Sequence, residues 1–584
     1  MVSSLLKHAI IGIITFLVLT TQFVLLSSYG IINISAQTST TESGGSINSN
    51  SNSTDSEFTL EEAYTVPLNT YNESSLAPTA GQPRLLERIP TEALQPSEPF
   101  FGQPREIKEP GVRNETDTNV EQTQAQTASN QTLNQELQNK TVVTLQNTTN
   151  ATSEAPAATA ATAIPSSAGS PLLISPITGF KGIDFRESGG WFPPDATLGV
   201  GPNHVVQMVN LQGAMWTKQG DPINTFALDQ FFATGTDRTA DPRIFYDPGS
   251  NRWFGALMDI STNSIHVAAS ASEDPTGDWY VYDFPFSNCP DQPSIGVSAD
   301  KFVVSVNTFA NLCNGGFTGV QFTVADKADM LNGTTPRFVQ SDPDTLLFSL
   351  HVAETQDPSS ASDIEMVSVD NGGSQFATVI SLDGKVPNVT ASDSFVPIQL
   401  TNVPPKAIQP DTITKLQTND ARVLDAEEYR GRLWFSFNDA CVPEGDSQAR
   451  SCLRLIEIDT SKTGSDAVIQ DFNVGVNGSY LFFPALSVDN NGNLFVVYGI
   501  SGKTIFPSLL VSHRLANDPP NTVEEPLTLQ PGGGSDFSGR YGDYFAVAVD
   551  PTDPNVFWVA GEYTPQDQAT TRWSTFIGHF SVTR

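Results

Sequence analysis

The sequence predicts an all-β chain whose last 400 or so residues fold as a β-propeller, most simply one of seven blades. Three observations predict it. First, a phrase recurs in which an apolar strand meets an Asp/Pro/Asn/Gly turn and a second apolar strand with an aromatic follows. The copies are LGVGPNHVVQMVN from Leu198, IFYDPGSNRWFGALM from Ile244, IGVSADKFVVSVN from Ile295, LDAEEYRGRLWFSFN from Leu424, LSVDNNGNLFVVYG from Leu486 and VAVDPTDPNVFWVAGE from Val547. Second, each copy alternates with a period of two, the mark of strand, and its turn residues suit a hairpin. Third, the copies return at a repeat length typical of radial architectures. Each copy is therefore expected to be the inner hairpin of a four-stranded blade.

Ahead of the repeats the chain reads as two other elements. Residues 1–37 carry Lys7, the apolar run Ala9 to Leu26, and small residues at Ser28, Gly30, Ser35 and Ala36, which together make an export signal. The run lies between a long signal peptide and a short anchor, so cleavage and retention in the membrane are both open. Residues 38–170 are rich in Ser, Thr, Asn, Gln, Ala and Pro and lack an apolar period, so they are expected to remain a disordered stalk. They hold Asn-x-Ser/Thr sequons at Asn52, Asn72, Asn114, Asn130, Asn139, Asn147 and Asn150. In an exported chain these suggest glycosylation, although an Asn- and Thr-rich segment also produces such triplets by chance.

Residues 171–584 form the expected propeller. Its repeats begin near Asp195, Asp241, Asp291, Asp420, Pro484 and Asp543, and the wide interval after Asp291 leaves room for a divergent copy from about His351 to Leu400. Its strands would be DIEMVSVDNGG and QFATVISL. Six blades with an insertion after Leu350 is the competing count.

The formal net charge is −34, of which residues 1–170 carry −9 and the remainder −25. So acidic a surface excludes nucleic acid, whose binding depends on Lys and Arg neutralising phosphates. It suits an exported monomer that collects cations, with Ca²⁺ as the expected cofactor if there is one. The four cysteines all fall in the repeats. Loop geometry favours Cys289 with Cys313 and Cys441 with Cys452, as two local disulfides in an oxidising compartment.

Ser272, Asp274, Gly277 and Trp279 resemble the aspartate box of sialidase-type propellers, with Gly one place late. Such boxes brace a turn and pack a Trp between blades. More broadly, PPDATLGVGPNHVVQMVN from Pro193, DPTGDWYVYDF from Asp274, FPALSVDNNGNL from Phe483 and GRYGDYFAVAVDP from Gly539 resemble a widespread group of secreted seven-bladed propellers. The resemblance implies the fold and an extracellular setting but no particular reaction. It departs from the group's pattern at Tyr541, where Trp is usual.

The first strand of a propeller blade lines the central channel, so residues opening several first strands converge on one rim. Here the openings are acidic: Asp195, Asp241, Asp291 and Asp543. If they face the axis they are candidate ligands for a hard cation, and otherwise they bond turn amides or the neighbouring blade. Asp195 and Asp241 stand one residue closer to their turns than the other two, a mismatch that a bulge would repair. DNNGN at Asp489 resembles a calcium loop superficially but lacks its Gly and terminal Glu, so a plain turn is expected. Arg243, Arg422 and Arg540, with Tyr541 and Glu562, are the candidates for a sialidase-like clamp and nucleophile pair. The histidines, His351 among them, are scattered singly, and no zinc-protease, nucleophile-elbow or phosphate-loop motif is present.

The reading is a binding or adhesion module for a glycan, surface polymer or protein, with a sialidase-like glycoside hydrolase or lyase as the alternative. Limited proteolysis should strip residues 38 to about 170 and leave a resistant core starting near Pro171. A stable fragment that keeps residues 60–150 would refute the stalk.

Overall fold

The computed structural model describes residues 177–235, 238–355, 363–566 and 572–583, and the backbone of four short strands before them, Thr65–Pro67, Arg84–Leu86, Val143–Leu145 and Leu173–Ile174. The expected export segment lies outside the described residues, and so does the stalk with its sequons apart from three of those strands, Thr65–Pro67, Arg84–Leu86 and Val143–Leu145, which pair with outer strands of the fourth, second and fifth blades. The three sequon asparagines of the repeat region, Asn332, Asn388 and Asn477, are exposed.

Seven sheets form seven blades, antiparallel throughout except where Glu354–Thr355 pairs parallel with Val423–Tyr429 at the inner edge of the fifth. Their innermost strands are Thr197–Val200, Thr239–Asp247, Cys289–Val297, His351–Val352, Val423–Tyr429, Ser479–Val488 and Ala546–Asp550. Each touches the next and the last touches the first, which closes a ring around a central axis. The repeated phrase supplies the two inner strands of six blades, as its hairpin chemistry predicts. The fourth blade is the divergent copy, with Ile364–Val369, Phe376–Lys385 and Asn388–Pro397 outside its short inner strand. Six blades are thereby excluded.

The ring closes by a strand exchange. The seventh blade takes three strands from the end of the chain, and its fourth is Thr178–Asp184 from before the first blade. That strand pairs antiparallel with Ser574–Thr583, Phe180 opposite Ile577 and Gly179 opposite Gly578. Ile183 continues into the apolar cluster between the seventh and first blades with Trp216, Trp558 and Trp573.

The apolar core is divided rather than central. Seven clusters of buried side chains lie one at each blade interface, as in Val206, Met208 and Phe226 of the first blade against Trp253 and Trp279 of the second. Alternating strands in a radial array bury both faces, which is why whole strands such as Ser479–Val488 are buried. Gly199 and Gly201 admit the Trp253 ring, since a Cβ would meet it at 2.9 and 2.4 Å.

The aspartate-box residues act structurally. Thr276 N–H donates to Asp274 Oδ1 at 3.0 Å, Trp279 Nε1 donates to the Pro275 carbonyl at 2.9 Å, and the Trp279 ring lies 5.0 Å from Phe231 of the preceding blade. DNNGN is likewise a turn, with Asp489 Oδ1 accepting the N–H groups of Asn491 and Asn493 at 2.8 Å each. Both disulfides form as expected: Cys289–Cys313 spans the inner hairpin of the third blade, and Cys441–Cys452 links neighbouring strands of the fifth, with Cα separations of 5.3 and 5.8 Å.

Every blade is entered through one residue in the left-handed region: Asp195, Asp241, Gln292, Ser349, Asn419, Phe483 and Gly542, with φ between 50° and 60°. Such a turn strains any residue bearing a Cβ, so it persists only where its surroundings hold it. In three cases an asparagine ending the second strand of one blade does so. Asn210, Asn307 and Asn438 accept, through Oδ1, the N–H of Asp241, Ser349 and Phe483 at 2.8, 2.8 and 2.7 Å. Asn438 also donates to the Thr418 carbonyl at 2.8 Å.

Replacing Asn438 by Ala leaves the Phe483 N–H buried without an acceptor and should cost about 1–3 kcal/mol. A denaturation midpoint unchanged by Asn438→Ala would show that the left-handed entry needs no strap.

Candidate functional site

The site is the mouth of the central channel, on the side where the first strands begin. Bulges bring the acidic openings to one place: register shifts fall between Ala240 and Arg243 and between Asp291 and Ser294. The bulge is the same in both blades, so the one-residue offset in the sequence persists: Asp195 and Asp241 hold the left-handed position that Gln292 and Gly542 hold beside Asp291 and Asp543, and the four carboxyls still act on one another electrostatically.

Their bonding is uneven. Asp195 is 1% exposed; its Oδ2 accepts from Asn210 Nδ2 at 2.7 Å, and its carboxyl is hydrogen-bonded with that of Asp241. Asp241 Oδ2 accepts the Gln292 N–H of the next blade at 3.0 Å, so this carboxylate is also an inter-blade strap. Asp543 takes Asn419 Nδ2 at 2.7 Å and Arg540 Nη2 at 3.0 Å. Burial first, then the charges of Asp543 and Asp241, hold the Asp195 carboxyl well above the usual range. Burial and the nearby Asp543 raise Asp241 as well. Asp291 is pushed up to about 7 by burial and by Asp241, with Arg422 and Arg540 opposing.

The three arginines also reach this region, each already engaged. Arg422 clasps Asp420 through Nε and Nη2 at 2.8 and 2.7 Å, bonds Gln292 Oε1, and lies over the Phe348 ring. Arg540 is shared between Asp543 and Gln417 Oε1, the latter at 2.9 Å. Arg243 stacks on Tyr544 at 3.6 Å from the ring centroid and donates to the Pro293 carbonyl at 2.8 Å. The remaining pair does not form a nucleophile and base. Tyr541 hydroxyl donates to the main-chain carbonyl of Glu562 at 2.8 Å, while the Glu562 carboxylate takes the Gly542 N–H at 2.8 Å. Burial and the Glu562 charge drive the Tyr541 phenol well above its ordinary value, which keeps it protonated.

Beyond the mouth the channel narrows to a cavity of about 40 Å³ lined by Arg243, His351, Glu354 and Asp425 among others. His351 Nε2 stands 3.6 Å from Asp425 Oδ1, and Asp425 Oδ2 accepts the Leu486 N–H at 2.8 Å. Burial lowers His351, and burial with the repulsion of Asp425 pushes Glu354 up to about 8. His351, placed among scattered histidines by sequence, is therefore an axial residue. Only the recognition that His351–Val352 is an inner strand could have revealed it. Among the described residues no three of His, Cys, Asp or Glu are arranged to hold one metal ion.

Neither a protein-family model nor a curated protein sequence matches the chain. Among solved structures, it is similar to a phage phi92 endosialidase at 9% identity, covering 70% of this chain and 69% of that one with a TM-score of 0.36. It is also similar to an α-L-arabinofuranosidase of Fusarium graminearum in complex with arabinobiose, at 10% identity, 59% and 93% coverage and a TM-score of 0.33. A Trypanosoma rangeli sialidase in complex with sialic acid gives 10% identity, 69% and 59% coverage and a TM-score of 0.32.

An unfolded Asp titrates near 3.9, so the folded chain holds extra protonation at Asp291 between about pH 4 and pH 7. Stability gained there is present at low pH and lost as pH rises through that window. Asp291→Asn should therefore melt higher than the wild type at pH 8 and show a flatter melting profile from pH 5 to 8. Parallel profiles for the two proteins would contradict the raised carboxyl.

Proposed function

We propose that this chain is an exported or cell-surface propeller acting as a binding and adhesion module, which holds a glycan, a surface polymer or a protein at the mouth of its channel. The observation that carries the reading is the convergence of Asp195, Asp241, Asp291 and Asp543 on that mouth, where they act on one another electrostatically. A partly desolvated set of carboxylates is a natural receptor for hydroxyl-rich or cationic groups. The two disulfides are compatible with an oxidising, extracellular compartment.

A sialidase-like hydrolase or lyase is the second reading. Its support is the approach of Arg243, Arg422 and Arg540 from three blades. Against it stand their engagement with Asp420, Asp543 and Tyr544 and the protonated Tyr541. A clamp for a carboxylate needs free guanidinium edges.

The exported protein should retain a ligand on a glycan or surface-polymer array without turning over fluorogenic glycosides, and Asp291→Asn should weaken that retention. Turnover by the wild type that vanishes in Arg540→Ala would replace the binding reading with the catalytic one.

A further inference from the structure

A second group of oxygens, beside the mouth but inside the seventh blade, is unexplained by ligand binding on the axis. Asp536 is 1% exposed: its Oδ1 takes the Ser538 hydroxyl and the Gly539 N–H, each at 2.7 Å, and its Oδ2 has no partner. Glu562 is 0% exposed, with Oε2 on the Gly542 N–H and Oε1 without a partner. Thr564, also 0% exposed, has a hydroxyl that bonds nothing. Glu562 lies in the strand Asp553–Tyr563, and side chains two apart on an extended chain share a side, so Thr564 follows it. The Gly533 N–H bonds the Thr564 carbonyl at 2.8 Å, which ties the loop carrying Asp536 to this strand end. After burial, Asp536 exerts the largest effect on Glu562.

Neither carboxylate forms an ion pair among the described residues, although the exposed Arg572 acts on Asp536 from a distance. Three buried oxygens without a partner are costly, since each forfeits its hydration without a replacement. The Thr564 hydroxyl is the telling member, because it is a fully buried donor and acceptor that makes no hydrogen bond. From this geometry we infer that Asp536 Oδ2, Glu562 Oε1 and Thr564 Oγ1 hold a hard divalent cation, Ca²⁺ by its chemistry. Two carboxylates match its charge, an all-oxygen set suits it, and its flexible coordination accepts main-chain carbonyls or water for the rest. The role is structural: the ion would pin the loop 532–545, which bears Arg540 and Asp543, to the blade.

The test is a Ca²⁺ titration of the full exported protein after chelation, followed by melting temperature and by Tb³⁺ luminescence excited through the neighbouring Tyr541. The expected result is a Ca²⁺-dependent rise in melting temperature and a Tb³⁺ signal displaced by Ca²⁺. Both should be lost in Glu562→Gln and Asp536→Asn, weakened in Thr564→Val and kept in Asp291→Asn. Thr564→Val preserves shape and both carboxylates, so it remains informative if the charge variants fold poorly. A wild type indifferent to Ca²⁺ and chelator, with Glu562→Gln raising the melting temperature, would mean that the carboxyls share a proton, and would overturn the site. A Ca²⁺ response that survives Glu562→Gln but disappears in Asp195→Asn would place the ion on the axis and overturn it equally.

Discussion

Everything in this molecule depends on closing the ring. Seven sheets that each bury both faces have no stable partial form, because any open end exposes a large apolar surface. The hydrogen bonds between Thr178–Asp184 and Ser574–Thr583 remove that end, joining segments almost 400 residues apart in sequence into one sheet. The Trp216, Trp558 and Trp573 cluster that fills the seventh interface follows from that pairing.

Closure also determines what the axis can be. With the apolar cores displaced into the blade interfaces, the innermost strands meet edge to edge around a polar channel, and the turns entering them must be tight. Left-handed entries at Asp195 to Gly542 accomplish this, and at Asp195 and Asp241 they carry carboxyls into the mouth. Acid and arginine then neutralise one another only in part. Asp543 and Asp420 have arginine partners, whereas burial and mutual repulsion raise the carboxyls of Asp195, Asp241 and Asp291. The same arrangement that fastens the blades thus produces the electrostatics of the candidate site.

Much of this was written in the sequence. The hairpin phrase gave the inner strands because turn chemistry and period-two alternation are local, and the same locality revealed both disulfides. The acidic openings were visible as a recurrence, but the bulge expected to repair their one-residue offset occurs alike in the second and third blades and leaves the offset in place. The closing strand TGFKGID was not visible, since it has no hairpin partner nearby and pairs only with a segment at the far end of the chain. The straps were half visible: three copies of the phrase end in Asn, but nothing in one copy says that its amide reaches into the next blade. Tyr541 and Glu562 were noted as neighbours by chemistry. Their actual contact, hydroxyl to main-chain carbonyl, depends on a loop path that local pattern does not specify.

The strand exchange has a consequence in time. A chain synthesised from its N-terminus delivers Thr178–Asp184 first and its partner last, so the opening strand must wait through the emergence of all seven blades. Until then its edge is free to pair with whatever else is extended nearby. The two disulfides, spanning 24 and 11 residues, can form early and stiffen the third and fifth blades meanwhile. Maturation of this protein is therefore a race between the arrival of its last strand and the wandering of its first.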